Sequence, residues 1–497
     1  MFAYILVLVF ALIIYLVFSA KYAHWKNRNV PYEKPTFFFG SIRKVLTMHS
    51  NMSDICNDLY RKYEKYRYVG FFNMWTPAIV VRDPEIMKEV LIKQFKSYRN
   101  WIQVPHNVDG ALSLNPFVLH NEEWKQVRSN LSSQFTSAKV KKMLPNMLLI
   151  GSKMIKYVKD QLKGSSDAMN VSDLTKRFTG EVVFNCGYGL DARSFIDKQP
   201  YPLKIADQIC SNSMMVQIKQ TIGVIFPNIA NIMKYTFVGD PIESDFKGTL
   251  LAVLRCREDE TITTNNFLEK INGLRSKGVP YFTTDDQLIC HAYTFFMDGV
   301  ETSALAFAYA LFELARNPHV QEKAKHEIEC VVQRHNDEIT YEAFQEMQYV
   351  ESIILETLRL YPVISLIGRV CLEDVTLPSP NFGADGESVT ISKGTQLFMP
   401  LIAFSEDATN FSDPTVFNPD RFQNSAQSLH FMGFGDGPKT CLGKSFALAQ
   451  IKIGLIAILS NFTVELAKDM AIPLKAENLH IFHSPESDIL LNFVDRL

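Results

Sequence analysis

Apolar and polar positions alternate along this chain in blocks long enough to name most of its elements. Residues 1–20 carry no charge and are mostly Val, Leu, Ile, Phe and Ala. About twenty such residues in a helix span the roughly 30 Å hydrocarbon layer of a bilayer. Lys21, His24, Lys26 and Arg28 follow at once, and no positive side chain precedes Lys21. That order predicts an uncleaved transmembrane anchor with the body on the cytoplasmic side, rather than a cleaved secretory signal. Residues 21–40, basic and then punctuated by Pro31 and Pro35, form a hinge, and 41–497 form the body.

In the body, 53–65 has helical periodicity, and 68–82 alternates as a hairpin with Trp75-Thr76-Pro77 at its turn. Asp83-Pro84 starts the next helix, with Pro in its favoured first position. A helix is expected over 121–135, and residues 170–250 alternate helix and loop, with a buried helical stretch at 178–184. Thr284 starts a long apolar helix that continues to Arg316, where Asn317-Pro318 ends it. Helix is also predicted over 349–361 and 445–459, and a strand at 395–400 leads into a short helix at 401–404. The pattern gives a mostly α fold with small β-sheets, built as a single large body plus the N-terminal transmembrane helix.

Composition narrows this little. A net charge of -2 gives no sign of a nucleic-acid partner, and no linker-like or repetitive stretch divides the 497 residues. Eight scattered cysteines without a CxxC fit a reducing compartment rather than a disulfide framework. Thirty-six Phe residues suit either a greasy cavity or a large aromatic core.

One stretch changes the picture. Gly433, Gly435 and Gly437 crowd the approach to Cys441, and Gly443 follows it. This describes a tight loop that holds one sulfur against something flat. A cysteine beside Lys439 and Lys444, ahead of a helix, is expected to ionise readily. With no second Cys or His nearby it does not suit zinc, but it suits an iron whose other ligands come from a macrocycle. Taken alone, Cys441 could equally be an inert turn cysteine.

The pattern Phe434-x-x-Gly437-x-x-x-Cys441-x-Gly443 resembles the haem-binding signature of the cytochrome P450 family. The resemblance extends over essentially the whole chain and implies a haem-thiolate fold, with haem b ligated axially through Cys441 and Phe434 beside it. It assigns Arg128, Arg369 and Lys439 to the haem propionates, with Trp124 packed alongside. By pattern alone, Trp124 and Arg128 are a core Trp beside a solvated Arg. Lys439 departs from the family's usual Arg, keeping the charge but losing the planar fork. Glu356 and Arg359, at i,i+3, would by themselves be a surface pair; the resemblance makes them, with Arg421, a buried triad behind the cysteine loop.

Within the long helix, Asp298-Gly299-Val300-Glu301-Thr302 puts carboxylates and a hydroxyl beside a glycine among apolar neighbours. Burying them without a use is costly, although a local solvated face would also explain them. Gly299 and the Thr302 hydroxyl can open the helical ladder here and make room for a ligand and a water, and the stretch is similar to the family's oxygen-activating groove, with Glu301 and Thr302 as its acid–alcohol pair. Asp298 stands where the family usually has Ala or Gly. A carboxylate there could pair with a side chain, admit water or favour a cationic substrate. Phe295, Asp298, Leu366 and Ile367 are candidate pocket residues.

A thiolate trans to an open iron position favours O–O cleavage. The resemblance therefore implies a monooxygenase that inserts one atom of O2 into a small apolar substrate. The chain has no flavin or nicotinamide fingerprint; Gly187-x-Gly189 is too little. Electrons from NADPH are thus expected through a membrane-bound NADPH–cytochrome P450 reductase docking near Lys439 and Lys444, with cytochrome b5 as a second donor, on the endoplasmic reticulum. Those lysines could also be ordinary surface charge. Two alternatives stay open: a haem-thiolate isomerase or dehydratase, and a non-catalytic haem or apolar-ligand binding protein. Residues 122–128 and 297–302, and the Phe135-Thr136 pair, resemble insect microsomal P450s of the xenobiotic-metabolising group.

Overall fold

The computed structural model describes residues 2–101, 110, 112–164, 168–209, 240–258, 266–383, 386–423, 429–477 and 482–496. Part of the helix-and-loop region expected over 170–250, residues 210–239, lies outside them.

The apolar N-terminus is a helix, Phe2–Tyr22, with none of its residues buried, and it is long and apolar enough to cross a membrane. Its last turns dock on the body. Phe18 lies within 5.5–5.6 Å of the Phe37 and Phe38 rings and edge-on to Trp75 at 6.2 Å. Just beyond, Trp25 is fully buried and donates from Nε1 to the Phe71 carbonyl. The basic hinge thereby becomes part of the sheet's packing.

The hairpin forms as Tyr68–Asn73 and Thr76–Val81, turning at Met74 with φ of 56°. It extends into a four-stranded sheet: the second strand pairs in parallel with Gln396–Pro400, which pairs antiparallel with Leu366–Val370. This sheet, with helix Met52–Lys62 against it, forms the smaller of two apolar cores. That helix starts at a capping box between Asn51 and Asp54.

The larger core is helical. Helix Lys444–Asn461, apolar nearly all round, is buried between Ser137–Gly164, Gln348–Leu360 and the long helix that begins at Thr284. Thr284 caps that helix in a second capping box, with Gln287. The run to Arg316 is not continuous, however. It divides into Asp285–Gly299 and Glu301–Arg316, with Val300 at φ -85°, ψ -71° between them. A 32-residue stretch of sufficient apolarity is thus a core element rather than a second membrane span, since most of it is buried.

Candidate active site

The cysteine loop depends on glycine at two positions. Gly435 and Gly437 have φ of 70° and 68°. A Cβ on Gly437 would also fall 2.1 Å from the Leu91 carbonyl oxygen. The loop closes on itself through the Phe434 carbonyl, which accepts from the Cys441 N–H at 2.7 Å and from the Thr440 hydroxyl at 3.3 Å. Cys441 lies deep in the body and yet carries open surface, and so does Asp298. Both therefore face an interior void, across which their charges interact.

The ready ionisation expected of Cys441 is not found. Burial pushes its thiol up to about 11 and the Asp298 carboxylate adds to this, while a Gly443 N–H bond, Arg128 and Lys444 oppose it. Helix Lys444–Asn461 begins three residues too late for its dipole to outweigh desolvation. A thiolate at this site needs a bound cation.

Three basic side chains converge beside the loop. Arg128, on helix Asn121–Ser132, donates to the Thr440 carbonyl. Arg369, on the sheet's last strand, is 2% exposed, stacks over Trp101 at 5.0 Å, and leaves Nε without a partner. Lys439 lies over the Trp124 ring at 4.9 Å with a buried, unpartnered Nζ. Burial, then Arg369 and Arg128, bring the Lys439 ammonium down to about 7. Among the described residues no carboxylate pairs with any of the three. Lys439 is consequently an interior charge rather than a surface docking charge; Lys444 is exposed.

Across the void, side chains take the carbonyls at the helix break. Thr302 Oγ1 donates to the Asp298 carbonyl (2.6 Å), and Gln450 Nε2 donates to the Gly299 carbonyl (3.0 Å) and to Ser303 Oγ (2.7 Å). Glu301 is buried and points away, towards helix Val171–Val183, where Lys176 Nζ is 3.2 Å from its carboxylate. Lys176 also lies 3.9 Å from the exposed Asp207. Burial raises the Asp298 carboxyl to about 7, against a hydrogen bond from Asn115.

Behind the loop, Glu356 and Arg359 form a two-point pair at 2.8 and 2.9 Å, and Arg421 Nε reaches the same carboxylate at 3.0 Å. The two guanidinium groups also hold the Ser405, Pro414 and Ser412 carbonyls, so the triad ties together the segment leading to the loop. Not every candidate pocket residue reaches the void. Phe295 is 5% exposed and locked among Phe267 (4.8 Å), Phe446 (5.2 Å) and Phe135 (5.6 Å). Ile367 is packed in the sheet-side core, and only Leu366 and Asp298 of the four keep open surface.

Sequence reasoning missed Gln450, Lys176 and Asn115. Gln450 alone had a signal, as an amide in the middle of an apolar helix.

The sequence profile of the cytochrome P450 family matches residues 30–493. The chain belongs to the cytochrome P450 family. It is 30% identical to cytochrome P450 6a9 of Drosophila melanogaster over 506 residues, covering 98% of each chain. Cytochrome P450 6j1 of Blattella germanica is also 30% identical, over 93% of this chain and 91% of its own. Cytochrome P450 6a2 of Drosophila melanogaster is 28% identical over 96% of each. Membership implies haem-thiolate monooxygenase chemistry in general, with haem, NADPH and O2 and a reductase partner. The residues of this P450 fit a haem. Arg369 and the Lys439 ammonium are buried, Arg128 is part-buried, and none has a carboxylate partner among the described residues, which suits a dianionic cofactor edge. The Cys441 sulfur faces the void, and among the described residues no three His, Cys, Asp or Glu side chains cluster as a protein-only metal centre.

Proposed function

We propose that this P450 is a microsomal monooxygenase that inserts one oxygen atom from O2 into a small apolar substrate. Electrons would come from NADPH through a membrane-bound NADPH–cytochrome P450 reductase, with cytochrome b5 as a second donor. The observation that carries this reading is Cys441 facing a void shared with Asp298 at the broken helix, beside three uncompensated cations.

Haem, when bound through Cys441, supplies oxygen activation and accepts the electrons. The protein's own residues do the rest. Arg128, Arg369 and Lys439 hold the propionates, Lys439 braced on Trp124, while Phe434 closes the loop beside the sulfur. Thr302 places a hydroxyl at the helix break. Glu301 is the acid of the acid–alcohol pair, and its contacts with Lys176 and, beyond it, the exposed Asp207 connect the helix break to solvent. The Glu356–Arg359–Arg421 triad keeps the loop rigid. Leu366 and Asp298 border the substrate space, whereas Phe295 and Ile367 shape it from the cores behind. The apolar helix followed by Lys21, Lys26 and Arg28 supports an endoplasmic reticulum anchor with the body on the cytoplasmic face. The resemblance of residues 122–128 and 297–302 to insect microsomal P450s of the xenobiotic-metabolising group favours substrates of that type.

The test is spectral and then catalytic. Full-length recombinant protein should contain about one haem per chain and give a thiolate-type CO difference spectrum that Cys441→Ser abolishes. With added reductase, an apolar compound panel should elicit substrate-dependent NADPH and O2 consumption. A CO spectrum that survived Cys441→Ser would remove the reading; an intact spectrum with no turnover would favour a binding protein.

A further inference from the structure

Cys290, Thr294, Asp298 and Thr302 recur every four residues and so form one polar stripe along the helix that borders the void. Opposite this stripe runs the segment that follows Gly110. Ser113 Oγ is 3.4 Å from Cys290 Sγ, and Asn115, 5% exposed, hydrogen-bonds the Asp298 carboxyl. Thr294 Oγ1 is buried without a partner. The stripe interrupts a helix that is otherwise apolar at the surrounding positions, including Phe295, Phe296 and Val300.

We infer that Asp298 selects this enzyme's substrates by receiving the cationic nitrogen of an otherwise apolar ligand. The inference rests on the haem-pocket reading above and adds to it a substrate class, lipophilic amines. A carboxyl in such surroundings favours its neutral form unless a positive charge sits beside it. Among the described residues no Lys, Arg or His pairs with Asp298. The interior cations, Arg128, Arg369 and Lys439, group instead with one another beside the cysteine loop. Nor does Thr302 compete for the carboxyl, because its hydroxyl is committed to the Asp298 backbone carbonyl. Asn115 holds the carboxyl from the side, and its open surface faces the void. An ammonium entering there would exchange water for a full opposite charge, while its hydrocarbon part lies against Leu366 and the apolar walls.

The experiment compares trimethyl(4-phenylbutyl)ammonium, which cannot ligate iron, with its uncharged carbon isostere. Haem-loaded protein is titrated with each, and affinity is read by calorimetry and by the Soret shift. The wild type should bind the ammonium at least tenfold more tightly than the isostere. Asp298→Asn should erase that ratio while changing isostere affinity less than twofold, and Asp298→Glu should keep it. Equal wild-type affinities, or a ratio untouched by Asp298→Asn, would overturn the assignment. Should Asp298→Asn fail to retain haem, Asn115→Ala carries the test: a ratio lowered severalfold supports the assignment, and an unchanged one overturns it. A wild type without a thiolate-type CO spectrum would instead overturn the haem-pocket reading, and this assignment with it.

Discussion

Gln450, on the helix that follows Cys441, donates to the Gly299 carbonyl at 3.0 Å and so fastens the sulfur-bearing side of the pocket to the break in the opposite wall. The same amide donates to Ser303 Oγ at 2.7 Å. An opened helical turn leaves carbonyls that must be satisfied when buried. Here one side chain from the neighbouring helix supplies the missing donor, and the break becomes a fixed feature of the fold.

Gln450→Leu should therefore cost about 1–3 kcal/mol, since it strands a buried carbonyl and hydroxyl. Urea unfolding measures that loss. The ratio of NADPH consumed to product formed, in the reconstituted system, should also rise as the Thr302 region loses its fixed geometry. An unchanged stability and ratio would show that the break is held by backbone preference alone.

The triad behind the loop gives the largest expected loss. Glu356→Gln leaves two buried guanidinium groups without a counter-charge, at about 3–5 kcal/mol. Haem content on purification should collapse. Breaking the exposed Arg61–Glu406 pair should cost less than about 1 kcal/mol and leave haem content intact.

Haem retention should depend on cations that have no carboxylate partner among the described residues. Arg369→Met removes a side chain whose Nε is buried and unpaired. Loss of its charge-assisted bond to a propionate should speed haem transfer to an acceptor apoprotein about tenfold or more. Lys439→Arg, which adds a planar fork over Trp124, should slow that transfer.

Acid sensitivity has a definite source in His291. Its ring stacks on Phe282 at 4.2 Å, and Nε2 donates to the Tyr281 carbonyl. Burial lowers its pKa from 6.5 to about 4. Between those values the unfolded chain takes up a proton that the folded chain refuses. The stability is fully present above pH 6.5 and is lost as pH falls towards 4. His291→Gln, which keeps a donor, should flatten that part of the stability–pH curve relative to wild type, as read from urea midpoints.

Much of this protein was written in local signals. The anchor, the Thr284 cap, the hairpin and the Asn317-Pro318 stop depend on charge runs, caps and residues with restricted backbones, which act over a few positions. The Gly-rich loop could be read as a ligand cradle for the same reason, because positive φ at Gly435 and Gly437 is a property of the residue itself. Gly299 and the Thr302 hydroxyl likewise marked a weak point in the long helix, but neither the fastening of the break at Val300 nor the raised thiol of Cys441 could be read that way. The first requires Gln450, about 150 positions downstream, to meet Gly299. The second is a contest between a helix start and the desolvation imposed by the whole surrounding body. Tertiary structure also chose among equals. Phe295 and Asp298 are three residues apart on one helix, yet packing sends the ring into an aromatic core and leaves the carboxyl facing open space. Sequence determines which chemistry a segment can carry; only the packing of distant segments decides which side chains are buried, paired or left free to meet a ligand.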